Sequence, residues 1–404
     1  DTTASPALAL PRLGRVNIVE SLGSRLHFGS VALTARDGRR YEFVGREPGP
    51  AAALTISGKG FGRRLLTGGA LGFAEAYIDG IWDSPDLATL IELGARNVDA
   101  AWGSRLEGHP LPRLVARLHH LVRPNTRRGS RRNIADHYDL GNDFYGLWLD
   151  PTMTYSAAVF DNAAESLEAA QRRKYRRLAD LAGIGPGDRV LEIGCGWGGF
   201  AEFAAVERGC RVTALTISDA QFAFARRRIA EAGLAGRVEI LKRDYRDLDG
   251  QYDRVVSIEM LEAVGERYWP LYFERLASLL TPGGRAALQV ITIDDAHWDG
   301  YRRNADFIQR YIFPGGMLPT VGRLAAQADA AGSHAHGADY ARTLERWQES
   351  FLAQWDAIAA LGFGDRFRRL WTYYLSYCIA GFRVGRIDVH QIGLQKDGTM
   401  DVGA

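Results

Sequence analysis

Short apolar runs and longer amphipathic stretches alternate along the second half of this chain. The runs have the length of β-strands and lie at residues 189–193, 211–217, 238–242, 252–258 and 285–293. The stretches between them repeat apolar residues at a helical spacing, over residues 165–182, 199–207, 219–232 and 267–280. This alternation predicts an α/β fold with a mostly parallel, doubly wound sheet, whose ligands bind at the carboxyl ends of the strands.

The first 122 residues follow a different pattern. Short alternating segments at 40–44 and 52–57 are typical of strands. One helical stretch is predicted after them, over residues 71–94. We therefore predict a small N-terminal α+β domain over residues 1–122.

A change of composition separates this domain from the rest. Pro110 and Pro124 interrupt any regular element, and residues 123–132 read as a basic linker. The second domain is then predicted to span residues 133–404. Within it, residues 298–385 are rich in aromatic side chains and are expected to form a helical cap over the edge of the sheet.

Charge is balanced over the whole chain but not locally. The 404 residues include 50 basic and 48 acidic side chains, so attraction to an anionic partner must come from a local cluster. Residues 113–132 contain seven arginines and no acid. This arginine-rich segment is either a solvated linker or a patch for phospholipid head groups. It lacks interleaved aromatic residues, and we expect no nucleic-acid partner.

Cysteine usage and hydropathy point to the cytoplasm. Cys195, Cys210 and Cys378 are far apart in sequence, which suggests neither a zinc site nor a disulfide framework. No apolar run approaches the length of a membrane-spanning helix, and the N-terminus does not have the pattern of a signal peptide. We therefore expect a cytoplasmic protein.

The most informative local pattern is a glycine loop. An apolar strand leads directly into Gly194, Gly196, Gly198 and Gly199 and then into a helix. The loop follows an acidic residue, Glu192, and contains no phosphate-binding lysine. Its spacing differs from the G-x-G-x-x-G of dinucleotide sites and is the E-x-G-x-G-x-G form of S-adenosylmethionine (SAM) methyltransferases.

Residues after the next two strands are candidates for further cofactor contacts. Thr216, Ser218 and Gln221 stand where such folds usually carry an acid against the ribose. Asp244 is placed to accept from the adenine amine, and Tyr245 to pack on the ring. A purely structural turn is the alternative for each segment.

Several longer segments together carry a family resemblance. They are NIADHYDLGNDFY at 133–145, MTYS at 153–156, the glycine loop, DYRDL at 244–248, YIFPGG at 311–316 and GADY at 337–340. From about residue 131 to about residue 391 the chain resembles the cyclopropane fatty acid synthases and mycolic acid methyltransferases. The N-terminal part resembles, more weakly, the lipid-engaging domain of the longer members. The resemblance implies a Rossmann-like class I methyltransferase fold.

It also implies an activity. Enzymes of this family transfer the SAM methyl group to a cis double bond in an acyl chain, commonly within a membrane phospholipid. Attack by an alkene leaves a carbocation, so the site must exclude water, and aromatic faces stabilise a cation by about 0.5–2 kcal/mol each. The aromatic residues available for such a tunnel, unless they are core packing, are Tyr155, Tyr311, Phe313, Tyr340, Tyr373, Tyr374, Tyr377 and Phe382.

The carbocation must also lose a proton. In the cyclopropane-forming branch a bound bicarbonate takes it, held by a carboxylate, a histidine, a tyrosine and backbone groups near a cysteine. By resemblance, Glu262 is the carboxylate and Tyr340 the tyrosine. Gln289 stands where that branch has histidine, and Ala157 where it has cysteine. An amide can hydrogen-bond a bicarbonate but cannot take up a proton near neutral pH.

The sequence around Glu262 and Gln289 is more similar to members that make methyl- or methylene-branched chains, of the tuberculostearic or furan fatty acid type. In that chemistry a hydride shift precedes proton loss and no ring closes. Three alternatives stay open: a cyclopropane synthase that uses bicarbonate, an O- or N-methyltransferase for a soluble metabolite, and a SAM-binding protein without catalysis. The intact glycines and Glu262 argue against the last.

The resemblance extends to contacts and partners. It implies SAM contacts at Tyr155 and Ser156, in addition to those of the glycine loop, Thr216, Gln221 and Asp244. His137 is either a general base or a hydrogen-bonded structural histidine. A homodimer, a peripheral position at the inner face of the membrane and a redox enzyme that acts on the product are further expectations.

Overall fold

A computed structural model describes residues 23–98, 100, 140–304, 306–327 and 330–396. The chain divides into two compact units between His109 and Pro110. The predicted linker at 123–132, the arginine-rich segment and His137 lie outside the described residues, so the predicted domain bounds stay predictions.

The N-terminal unit contains a four-stranded mixed sheet in the order β2-β1-β3-β4. β1 pairs antiparallel with β2 and parallel with β3, and β4 pairs antiparallel with β3. The strands are β1 (Phe28–Thr34), β2 (Arg40–Val44), β3 (Glu47–Ile56) and β4 (Trp82–Asp83). The predicted α+β character of this unit agrees with the structure.

The single helix predicted over residues 71–94 is wrong. Two helices occupy this part of the chain, α1 (Phe61–Ile78) and α2 (Leu87–Asn97), with β4 between them. Gly80 has a φ of 70°, a left-handed conformation that ends α1. A new helix then starts because the Asp86 side chain accepts a hydrogen bond from the Thr89 N–H.

A fully buried amide joins α2 to β1 in this unit. The Asn97 Oδ1 accepts from the backbone N–H groups of His27 and Phe28, at 2.7 and 3.0 Å. The Asn97 Nδ2 donates to the carbonyls of Phe28 and Leu93, at 3.1 and 2.8 Å. One side chain therefore satisfies four backbone groups that a helix end and a strand start would otherwise leave unpaired.

The second unit contains a seven-stranded sheet in the order β10-β11-β9-β8-β5-β6-β7. Five neighbouring strands, β9-β8-β5-β6-β7, run parallel to one another. At one edge of the sheet β11 pairs antiparallel with β9, and β10 pairs antiparallel with β11. The strands are β5 (Arg189–Ile193), β6 (Arg211–Thr216), β7 (Val238–Lys242), β8 (Tyr252–Ile258), β9 (Leu280–Ile293), β10 (Ala330–Ala335) and β11 (Ile387–Gln395).

Both faces of this sheet are covered by helices, as predicted. Successive residues of a strand point to opposite faces, and Val190 and Leu191 accordingly belong to two different buried clusters. The helices are α3 (Asn142–Gly146), α4 (Leu167–Ala182), α5 (Gly199–Glu207), α6 (Asp219–Glu231), α7 (Trp269–Leu279), α8 (Asp295–Arg303), α9 (Phe307–Tyr311), α10 (Val321–Ala325), α11 (Gly337–Ala353), α12 (Trp355–Ala360) and α13 (Asp365–Arg383).

The predicted cap at 298–385 is only partly helical. It includes β10, which pairs antiparallel with β11 and so extends the sheet itself. Helices α11 and α13 follow β10, and the Gln348 Nε2 of α11 donates to the Ser376 Oγ of α13 at 2.7 Å. Among the described helices, none combines the length and the hydropathy that a bilayer-spanning segment requires.

We expect Asn97→Ala to destabilise the N-terminal unit by about 2–3 kcal/mol, because two backbone N–H groups lose their acceptor inside the fold. Amide hydrogen exchange followed by mass spectrometry should show faster exchange in β1. Thr67→Ala, at an exposed position of α1, is the control and should leave this exchange unchanged. Equal protection of β1 in wild type and Asn97→Ala would contradict the role of this amide.

Candidate active site

The glycine loop lies between β5 and α5 and adopts a conformation that only glycine tolerates easily. Gly194, Gly196 and Gly198 have φ values of 84°, 52° and 83°. A Cβ on Gly194 would lie 2.9 Å from the Cγ of Met260, the second residue after β8. The loop thus packs closely against the carboxyl end of β8, at the edge of the sheet where ligands were predicted to bind.

Glu192 lies below this loop, inside β5. It is 2% exposed, and burial raises the pKa of its carboxyl group to about 8, against the opposing effects of Lys174 and the Ala201 N–H. Ala201 belongs to the first turn of α5. The structure therefore places Glu192 behind the loop, where it supports the start of α5.

The polar residues after β6 form one hydrogen-bonded group. The Thr216 Oγ1 donates to the Gln221 Oε1 at 2.8 Å and accepts from the Ser218 N–H at 3.2 Å. The Ser218 side chain caps α6 through the Gln221 N–H. Three residues predicted from the sequence as neighbours of the ribose are thus brought together at the carboxyl end of β6.

The residues after β7 are tied to their own loop and to the core. Asp244, which is 3% exposed, accepts from the Arg246 guanidinium at 2.8 and 2.6 Å. The ring of Tyr245 packs edge-on against Tyr272 at 5.4 Å. Both residues lie beside the predicted cofactor edge, and their visible contacts are those of a structured turn.

The segment before α4 connects the loop to the rest of the site. The Asn142 Oδ1 accepts from the Trp197 indole N–H at 2.8 Å, which joins the glycine loop to α3. The Ser156 Oγ accepts from the Lys174 Nζ at 2.7 Å. The Tyr155 and Tyr374 hydroxyls are hydrogen-bonded at 2.7 Å. Tyr155 and Ser156 therefore lie where elements from both ends of this unit meet.

The predicted tunnel residues fall into two aromatic groups. Phe313 and Tyr374 are in edge-on contact at 6.3 Å, and Tyr374 is bonded to Tyr155. Tyr311 and Tyr377 instead both pack against Phe307, at 5.3 and 6.0 Å. The first group is next to the polar part of the site.

Sequence reasoning missed the tryptophans that complete the first group. Trp347 lies 5.2 Å from Tyr155 and 6.2 Å from Tyr340, and Trp371 lies 5.1 Å from Tyr374. Tyr340 and Trp347 are seven residues apart on α11, a spacing that places them on one face of a helix. That spacing was the available signal.

Sequence reasoning also missed Glu259, the carboxylate at the centre of the site. Its Oε1 accepts from the Ala157 N–H at 2.8 Å and from the Gln289 Nε2 at 2.7 Å. Its Oε2 accepts from the Tyr340 hydroxyl at 2.7 Å. Burial raises the pKa of Tyr340 well above its ordinary value, so the phenol stays protonated and remains a donor. The structure therefore unites Tyr340, Gln289 and Ala157 around Glu259.

Glu262, the carboxylate expected at this place, has different partners. Its Oε1 accepts from the Ile291 N–H at 2.5 Å. Its Oε2 is buried and has no hydrogen-bond partner among the residues that the structure describes. Burial, and then repulsion from the Glu259 carboxylate, raise the pKa of Glu262 to about 8. Glu262 is thus a neighbour of the Glu259 centre and does not bond to Tyr340.

A buried lysine interacts electrostatically with the acidic groups of the site. Lys174 is 0% exposed, and burial lowers the pKa of its ammonium group, whereas the carboxylates of Glu259, Asp150 and Glu192 oppose this shift. Burial raises the pKa of Glu259, and hydrogen bonds from Tyr340 and Gln289 and the charge of Lys174 act in the other direction. The site combines an aromatic wall with a hydrogen-bonded carboxylate and a nearby cation.

Comparisons with known proteins identify relatives of this chain. The sequence pattern of the family described as mycolic acid cyclopropane synthetase matches residues 125–392. The chain is 43% identical over 363 residues to tuberculostearic acid methyltransferase UfaA1 of Mycobacterium tuberculosis. The aligned region covers 83% of this chain and 81% of that protein. It is 37% identical over 346 residues to the cyclopropane-fatty-acyl-phospholipid synthase of Escherichia coli strain K12, with coverage of 84% and 87%.

The fold comparison gives a similar result. The crystal structure of mycolic acid cyclopropane synthase CmaA1 complexed with SAH and CTAB superposes with a TM-score of 0.62 at 30% sequence identity. The match covers 66% of this chain and 98% of that one. It supports a class I methyltransferase fold for the second unit.

We expect Gly194→Ala to weaken S-adenosylhomocysteine binding at least tenfold, because the new methyl group strains the left-handed backbone and displaces Met260. Calorimetric titration measures this affinity. Gly187→Ala is the matched control, since Gly187 also has a φ of 84° but its Cβ would meet nothing within 4 Å. Equal affinities of the two variants would show that the loop does not hold the cofactor.

Glu262→Gln should change the pH dependence of stability. The unfolded carboxyl group ionises at its ordinary pKa, near 4.5, whereas the native group stays protonated up to about 8. The free energy of unfolding of the wild type therefore falls as the pH rises from about 4.5 to about 8. Glu262→Gln has no group that ionises there and does not lose this stability. The melting temperature of Glu262→Gln relative to wild type should rise between pH 5.5 and pH 8. The exposed Glu274→Gln serves as control, and a pH-independent difference would contradict the raised pKa.

Proposed function

Because the chain belongs to the mycolic acid cyclopropane synthetase family, we propose that it transfers the SAM methyl carbon to the cis double bond of an unsaturated acyl chain in a membrane phospholipid. The favoured product is a methylene-branched acyl chain. The predicted family, fold and enzyme class are confirmed. The chain is a SAM-dependent methyltransferase that acts on fatty acids or lipids.

One observation carries the proposal: a carboxylate held by three donors borders an aromatic wall. Tyr340 donates to Glu259 and packs on Phe382 at 4.5 Å and on Trp347. A polar acceptor for an O- or N-methyltransferase would need polar groups that orient it. The aromatic wall instead suits an apolar chain, and its ring faces suit a transient cation.

The residues of the glycine loop fit the cosubstrate. A Cβ on Gly196 would meet nothing within 4 Å, so the backbone there is open to a ligand. The Gly194 and Gly198 N–H groups donate to the Leu215 and Cys195 carbonyls, at 3.1 and 2.9 Å, and so hold the turn that presents Gly196. Thr216 and Gln221 follow at the next strand. SAM supplies an electrophilic methyl group when bound, and every other step uses the chain's own residues.

The reaction follows from these groups. The π electrons of the alkene form a bond to the methyl carbon, the C–S bond breaks, and S-adenosylhomocysteine leaves. The second alkene carbon becomes cationic, and a hydride from the methylated carbon moves to it. The cation then sits on the carbon that carries the new methyl group. Loss of a methyl proton to a carboxylate gives the exocyclic methylene.

Two observations favour this product over a cyclopropane ring. Gln289 cannot take up a proton near neutral pH, which removes one acid–base group expected for ring closure. The relative that is 43% identical is named for tuberculostearic acid, whereas the one named for cyclopropane formation is 37% identical. Cyclopropane formation with a bicarbonate base is the second candidate, supported by that latter relative.

Further partners follow from the chemistry. Conversion of a methylene to a methyl branch needs a hydride donor and a proton, so a reductase is expected to consume the product. The arginine-rich segment and the N-terminal unit are proposed to engage the phospholipid surface at the inner face of the membrane. A homodimer is proposed on the family resemblance.

The test is expression of the chain in a bacterial host that lacks its own synthase, with methyl-labelled methionine. Mass spectrometry and NMR of the fatty acids should show one labelled carbon added and olefinic protons of an exocyclic methylene. Cells with empty vector are the control. Cyclopropane protons would overturn the branched product in favour of the second candidate, and unlabelled lipid would contradict C-methylation of acyl chains.

A further inference from the structure

We propose that the Glu259 carboxylate is the general base of this reaction and that it takes the place of a free bicarbonate ion. The inference rests on the proposed function, since the proton to be removed is that of the new methyl group. It assigns the role to a residue of the chain and not to a dissolved anion.

The donors of the site are already occupied. Ala157, Gln289 and Tyr340 come from three separate elements, and all three donate to the two oxygens of Glu259. A carboxylate and a bicarbonate are both planar anions that accept through oxygens spaced alike. One set of donors cannot serve both at once. A second anion would also lie next to the charge of Glu259.

Hydrogen bonds fix the orientation of the Gln289 amide. Its Oε1 accepts from the Gln391 Nε2 at 3.0 Å, and its Nε2 donates to the Ala157 carbonyl at 3.1 Å as well as to Glu259. Both residues are at most 2% exposed. The amide is therefore held with its NH₂ group toward Glu259, which makes Gln289 a positioning residue for that carboxylate.

The backbone of Glu259 is strained. Glu259 has a φ of 49°, a left-handed conformation that costs a residue with a Cβ about 1–2 kcal/mol. Its N–H donates to the Gln289 carbonyl at 2.8 Å, and the three side-chain bonds hold the other end. Strain of this kind persists where the surrounding structure enforces it, and it concentrates at functional sites.

Glu259 also lies beside the cofactor loop. Glu259 directly precedes Met260, which is in contact with the Gly194 turn of the cofactor loop. Glu259 lies deep in the unit, yet the residue keeps some exposed surface. The Oε2 accepts one bond, from Tyr340, and an ionised carboxylate oxygen can accept two. One acceptor position therefore remains beside the aromatic wall.

The chemical step is balanced within the site. The lone pair of the Glu259 Oε2 forms a bond to a proton of the new methyl group, and the electrons of that C–H bond form the C=C bond. The cation is discharged, and Glu259 becomes a neutral acid. Exchange with water after product release restores the carboxylate, so no oxidant or reductant is needed.

The experiment compares three full-length proteins in buffer purged of carbon dioxide, with SAM and phospholipid vesicles that carry unsaturated acyl chains. Wild type should keep its turnover when bicarbonate is removed. Glu259→Gln should lose at least 100-fold and gain nothing from added bicarbonate, because its amide still fills the space. Glu259→Gly, which suits the positive φ, should lose as much but recover at least tenfold with added bicarbonate.

Binding of ¹³C-labelled bicarbonate, followed by NMR, supplies a readout that does not depend on turnover. We expect no saturable binding to wild type or Glu259→Gln, and saturable binding to Glu259→Gly. Equal S-adenosylhomocysteine affinity and a single cooperative melting transition in each of the three proteins establish that the variants fold.

Three results would overturn the proposal: turnover by wild type that requires bicarbonate, near-normal turnover by Glu259→Gln, or saturable binding of bicarbonate to wild type. Failure of the proposed function has a different signature. In that case wild type methylates no vesicle lipid at all, while the bicarbonate titration still reports whether Glu259 occupies the donor set.

Discussion

Burial of one carboxylate organises the second unit of this protein. An ionised carboxyl group removed from water is costly unless donors replace its hydration. For Glu259 the donors come from the segment before α4, from β9 and from α11. These three elements must therefore meet at the end of β8, and the left-handed backbone of Glu259 is held in place by the same contacts.

The electrostatics of the site extend this constraint. Lys174 is a buried cation that interacts with the carboxylates of Glu259, Asp150 and Glu192. Acidic groups thus outnumber the base in this cluster. In the proposed reaction the methyl donor is a sulfonium and the lipid becomes a carbocation, and the preorganised Glu259 carboxylate stabilises both without reorganisation of solvent.

The aromatic wall supplies the complementary property. Tyr155, Tyr374, Trp347 and Trp371 pack on one another and on Tyr340, the donor to Glu259. The same rings exclude water and present faces that favour a cation. The same aromatic side chains therefore pack the core of the unit and form the wall of the candidate active site.

Much of the fold was predictable from the chain alone. The bounds of β5, β7, β8 and α5 agree with the apolar pattern, because strand and helix periods are local properties of a few consecutive residues. The glycine loop was equally predictable, since its conformation needs particular residues at particular spacings. Two predictions were wrong because the local pattern was weak. The helix predicted over 71–94 is interrupted at Gly80, and β10 consists of small and polar residues without a clear strand pattern.

The identity of the central carboxylate could not be predicted from local sequence. Glu259 and Glu262 are three residues apart in one short turn, and nothing in their spacing says which of them meets Tyr340. The answer depends on Ala157, Gln289 and Tyr340, which are brought together from 30 to 102 positions away along the chain. Local sequence therefore specified the sheet and the cofactor loop, whereas the choice of carboxylate arose from packing between distant segments, because hydrogen bonds form between neighbours in space.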